Sequence, residues 1–260
     1  MVTGLSIICY LAAWSLLLLS ARRKTEPGPA FFALLALGCL SHAIAAWREI
    51  ISPEGVQIGV FQIASALCLV MNLIVLLSSI RLPLMKIFLL LLPLASAASG
   101  SAALIFTAEP LGQHIGPGVL SHILLSIIAY SLLTIATLQA LLLAYQQSQL
   151  KAHHASAVLG VFPPLQTMES LMFDLVRAGF VSLSLSLVSG FIFIDNVFEQ
   201  QLSHKMTFSI VSWLIYAVLL FGRHALGWRG KVALRWMIAG FIMLMLAYFG
   251  SKFVIEVLLD

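Results

Sequence analysis

Eight apolar runs, each long enough to cross a bilayer, constrain this chain more than any other feature. They cover residues 2–20, 30–47, 58–80, 85–107, 119–145, 175–197, 206–222 and 232–258. About 20 apolar residues in a helix span the hydrocarbon core. The backbone has no water to bond there, so spanning runs become helices or closed barrels. Residues 182–187 alternate Ser and Leu as a barrel strand would, but the apolar stretch around them far exceeds the ~10 residues such a strand needs. Charged residues make up 9% of the 260, against about 25% in a water-facing domain, and the mean hydropathy is +1.06. The expectation is an all-α polytopic membrane bundle of eight transmembrane helices. No composition shift marks a boundary, so residues 1–260 read as one integral membrane domain.

The net charge of +4 reports orientation. Arg22, Arg23 and Lys24 follow the first run and no positive charge precedes it, so the N-terminus is expected outside, without a cleaved basic leader. Alternation then assigns Arg22, Arg23, Lys24, Arg81, Lys86, Lys151, Arg177, Arg223, Arg229, Lys231 and Arg235 to the cytoplasmic side. Arg48, Lys205 and Lys252 fall on the other, and the C-terminus is expected outside as well. The basic groups are short and flank apolar runs, which excludes a nucleic-acid face. After Pro163 and Pro164, apolar Leu165, Met168, Leu171, Met172 and Leu175 recur at helical spacing with Gln166, Glu169, Asp174 and Arg177 between them. That pattern predicts a short amphipathic helix near 163–177, lying in the membrane interface or serving as a docking surface.

Chemistry-bearing motifs are scarce. Cys9, Cys39 and Cys68 sit in apolar runs with no C-x-x-C pair, so neither a disulfide framework nor a zinc site is expected, and the chain does not itself attach a c-type haem. Without a nucleophile elbow, P-loop, H-E-x-x-H or carboxylate pair, no enzymatic activity is expected. Histidines remain. His42 lies inside the second run beside the small residues Gly38, Cys39, Ala45 and Ala46; an imidazole there needs a hydrogen-bond partner or a ligand. His122 heads a stripe through Ser126, Tyr130, Thr134 and Thr137, one helical face expected to point into the bundle. His224 closes the seventh run beside Arg223, with Arg229 and Lys231 close behind. His114 is a reserve candidate, and His153, His154 and His204 fall in connections. Gln62, Ser65 and Asn72 share a face of the third run, which with the serines of the sixth suggests a partly polar interior. A haem held by neutral imidazole in an apolar cleft and a permeation path are both compatible with this inventory.

Three stretches in order resemble the CcsA-type cytochrome c assembly proteins, above all their short YpjD-like and HemX-like branch. They are SHILLSIIAY at 121–130, PPLQTME at 163–169, and GWRGK at 227–231 continuing to YFG at 248–250. The resemblance implies an outer-face haem ligand at His122, an intramembrane haem ligand at His224, and an early-helix histidine of the short branch at His42. The tryptophan-rich WWD segment that presents haem to apocytochrome c has no counterpart between the sixth and seventh runs, and no histidine follows His224, so the resemblance implies haem binding rather than haem attachment. The expected protein is a multi-pass protein of the bacterial inner membrane with both termini periplasmic, taking part in haem handling or cytochrome complex assembly. His42 and His122 are the expected axial pair of one haem b, with His224 at a second position, Tyr130 on the cleft face, and Arg223 and Arg229 at the propionates. Expected partners are haem, membrane lipid and other assembly proteins. The rival readings are a HemX-like regulatory or scaffold subunit and, with no inverted repeat to support it, a small-solute transporter.

Overall fold

A computed structural model describes residues 1–52, 55–57, 59–79, 82–105, 116–151, 163–193 and 200–250, with the backbone alone at 52 and 200–204. Among these residues eight helices are long and apolar enough to cross a membrane. They are α1 (Val2–Arg23), α2 (Pro29–Ile50), α3 (Val60–Ser79), α4 (Phe88–Leu104, with the turn before it), α5 (Pro117–Lys151), α6 (Leu165–Phe193), α7 (Gln200–Ala225) and α8 (Gly230–Met245, with the turn after it). A 3-10 turn, Met85–Ile87, leads into α4, and a π-helical turn, Leu246–Gly250, extends α8. Large apolar side chains such as Leu124, Leu185, Val188 and Phe221 lie exposed, as lipid-facing surfaces require.

The helices group into two compact units, residues 1–113 with 145–165, and residues 114–144 with 166–260. In the first, α1 packs on α2 and α4, and α3 packs on α2 and α4. Tyr10, Leu17, Phe31, Leu35, Val75, Phe88 and Leu91 form its buried core. Gly38 admits α1 closely, since a Cβ there would stand 2.8 Å from the Tyr10 ring. Pro93 lies inside α4, and its missing N–H deprives the Leu89 carbonyl of its helical donor. The Trp14 indole N–H of α1 donates to that carbonyl at 3.0 Å. Gln62 of α3 donates to the carbonyls of Ala102 and Ile105 at the end of α4.

In the second unit α5 and α6 pack closely where the Leu133 side chain meets Gly179. Phe180 stacks on Trp213, whose indole N–H donates to Ser184 Oγ at 2.8 Å. Ser212 of α7 donates to the Gly240 carbonyl of α8, and the Tyr216 ring covers Gly240.

One expectation is corrected. No separate amphipathic helix exists near 163–177, because α6 runs unbroken from Leu165. Met168, Leu171 and Met172 are buried within the protein, so the periodicity serves bundle packing, and no proline or glycine between Leu165 and Gly179 stops the helix. Helix α7 begins at Gln200, ahead of the apolar run at 206–222. The connection after α2 holds a small antiparallel pairing of Ile51–Ser52 with Gly55–Val56, too short for periodicity to reveal.

Candidate functional site

His122 lies near the start of α5, on a shelf cleared by α6. Its Nδ1 lies 2.9 Å from the Ser186 carbonyl oxygen and 3.3 Å from Ser189 Oγ. A carbonyl only accepts, so Nδ1 donates the proton and the neutral ring keeps its lone pair on Nε2. No described residue offers that Nε2 a hydrogen bond. The ring rests against Gly190, where a Cβ would stand 2.9 Å from Cε1 and 3.1 Å from Nδ1. One turn on, Ser126 donates to the His122 carbonyl and lies 2.7 Å from Ser186 Oγ. Metal-ligating histidines are held in this way, one nitrogen fixed by a carbonyl or carboxylate and the other left to coordinate. The sequence pattern pointed to His122 but not to Gly190, which stands between Ser189 and Phe191 with nothing to mark it.

His42 is arranged differently. It is fully buried in the first unit, with Nδ1 3.1 Å from the Tyr10 hydroxyl and Nε2 2.8 Å from Ser65 Oγ. The Tyr10 ring meets it edge-on at 5.6 Å, and its hydroxyl also approaches Cys39 Sγ at 3.7 Å. Both nitrogens are engaged, so the imidazole ties α1, α2 and α3 together, and it could ligate a metal only by releasing one partner. Gln62, Ser65 and Asn72 are buried as expected, and Ser65 is the one that meets His42.

At the opposite end of the second unit, His224 is exposed at the end of α7. Arg223 and Arg229 converge on Glu169, at 3.2 Å and 3.4 Å, with the carboxylate 13% exposed. Arg223 also lies over the Phe173 ring and donates to the Trp228 carbonyl. Tyr130 donates to the Leu244 carbonyl at 2.8 Å, which anchors α8 where it passes into the π turn. The sequence places Glu169 on a polar face and at the end of the PPLQTME stretch, without pairing it to either arginine.

About 25 Å of helix, at 1.5 Å per residue, separates Ser186 beside His122 from Glu169 beside Arg223. His122 and His224 therefore cannot ligate one iron, whose bonds to imidazole run about 2 Å. His114, His153, His154 and the side chain of His204 lie outside the described residues. Among the described residues no group of three or more His, Cys, Asp or Glu side chains is placed to hold a metal ion.

The family model for the cytochrome C assembly protein matches residues 28–259. The chain belongs to that family. It is 41% identical over 92 residues to the inner membrane protein YpjD of Escherichia coli strain K12, which is 35% of this chain and 35% of that protein. The cytochrome c biogenesis protein CcsA of Prochlorococcus marinus strain NATL1A is 32% identical over 91 residues, 34% of this chain and 29% of its own. The chain thus spans about a third of the length of these curated relatives. No solved structure matches it.

Proposed function

We propose that this protein binds haem b in the bacterial inner membrane and takes part in cytochrome c biogenesis by holding and handing on haem, without catalysing a reaction of its own. The observation that carries this reading is the free Nε2 of His122, with Nδ1 committed to the Ser186 carbonyl. An iron bound by one or two imidazoles takes its remaining ligands from the porphyrin, which suits a chain whose described residues form no cluster of three or more metal ligands. The names of the relatives, one an inner membrane protein and one a cytochrome c biogenesis protein, support the location and the role.

Bound haem would supply an iron centre able to take up or give one electron. His122 would hold the iron through Nε2 with no change to its own hydrogen bonds. His42 would hold iron only by giving up its bond to Tyr10 or Ser65, and His224 would serve a separate position toward the other end of the second unit. Arg223 and Arg229 would meet the propionates by exchanging Glu169 for them, while Tyr130 keeps α8 in place. The charge asymmetry supports both termini on the periplasmic side.

The test is the visible spectrum of the purified full-length protein in detergent, before and after reduction. Split α and β bands with a shifted Soret peak are expected. A colourless protein that stays colourless when haem is supplied would overturn the reading.

A further inference from the structure

The turn between α7 and α8 is a braced, positively charged platform, and two of its basic residues, Lys231 and Arg235, have no part in the haem reading. Gly227 and Gly230 bracket it at φ +65° and +54°, left-handed conformations that glycine adopts without strain. The Trp228 N–H donates to the Gly222 carbonyl at 3.1 Å, and the indole lies on Gly222 where any Cβ would collide with it. Arg223 donates to the Trp228 carbonyl, and Trp236 of α8 stacks on Trp228 with ring centroids 5.4 Å apart. Four contacts thus hold the turn and its tryptophan pair in one arrangement.

The charges around this turn do not balance. Glu169 takes Arg223 and Arg229, and Asp174 takes Arg177. Lys231 and Arg235, one turn apart on α8, are exposed and form no ion pair with any described carboxylate. Stacked indoles favour the headgroup level of a bilayer, and long basic side chains beside them reach for phosphate. We propose that the α7–α8 turn is a binding site for the phosphate of anionic phospholipids, with Lys231 and Arg235 as its contacts and the Trp228–Trp236 pair as its wall.

The test uses the full-length protein reconstituted in phosphatidylcholine vesicles containing a minor fraction of phosphatidylglycerol, with the lipid retained on extraction counted by mass spectrometry. Wild type should retain phosphatidylglycerol in excess, and that excess should fall as salt rises. Each basic contact near an anionic surface gives about fivefold, so Lys231→Gln/Arg235→Gln should lose about 25-fold or return to the bulk ratio. Lys231→Arg/Arg235→Lys should keep the excess, as should Arg22→Gln/Arg23→Gln, which removes basic residues at the end of α1. An excess that ignores salt in wild type, or survives in Lys231→Gln/Arg235→Gln, overturns the proposal. So does an equal loss in Arg22→Gln/Arg23→Gln, which would reduce the effect to general surface charge. Competition by inorganic phosphate at low millimolar concentration would mark a site for a soluble anion and would equally overturn it.

Discussion

Asn72 and His42 are both fully buried in the first unit, yet they stand in opposite hydrogen-bonding states. His42 has a partner on each nitrogen, whereas neither amide atom of Asn72 has one among the described residues. Stranding a buried partner costs about 1–3 kcal/mol, while replacing an unpartnered polar group by an apolar one of similar shape is close to neutral or favourable. His42→Leu should therefore lower stability by about 1–3 kcal/mol or more and Asn72→Leu should leave it unchanged or raise it, as thermal unfolding in detergent will show. Gly190→Ala should displace the His122 ring, destabilise by about 1–3 kcal/mol as overpacking does, and shift any haem spectrum, whereas Gly116→Ala, with open space at its Cβ position, should do neither. His122 was legible because helical spacing shows which residues share a face. Gly190 was not, and Ser186 was legible only as one of the serines of a partly polar interior, since spacing within one helix does not reveal which face of another helix meets it.

At the scale of the element, α4 depends on α1 for one of its own hydrogen bonds. Trp14→Phe leaves the Leu89 carbonyl without a donor beside Pro93 and should cost about 1–3 kcal/mol. In a Pro93→Ala background the restored N–H can serve that carbonyl, so the same substitution should cost less, a coupling that a double-mutant cycle on unfolding temperature measures. The eight helices were readable from length and hydropathy alone, because lipid leaves the backbone few options. The start of α6 was not. Its polar residues suggested an interfacial segment, but Glu169 turns toward Arg223 and Arg229, and an ion pair across helices leaves no mark in the periodicity of either one.

Across the whole molecule, two units of lipid-facing helices carry two kinds of histidine, one enclosed and one with an open nitrogen. The division falls within α5, the 35-residue helix Pro117–Lys151, where no change of composition announces it. The orientation proposed from the charge asymmetry is open to labelling, since the three native cysteines are free and buried. Gly116→Cys should react with an impermeant maleimide in intact cells and Thr25→Cys only after permeabilisation; the reverse pattern would invert the assignment. The central claim, that His122 presents Nε2 to haem iron, is tested most directly by titrating haem into purified wild-type and His122→Ala protein and following the Soret difference spectrum. Saturable binding with a shifted Soret peak is predicted for wild type and its loss for His122→Ala. Identical saturable curves and spectra for the two proteins would contradict it.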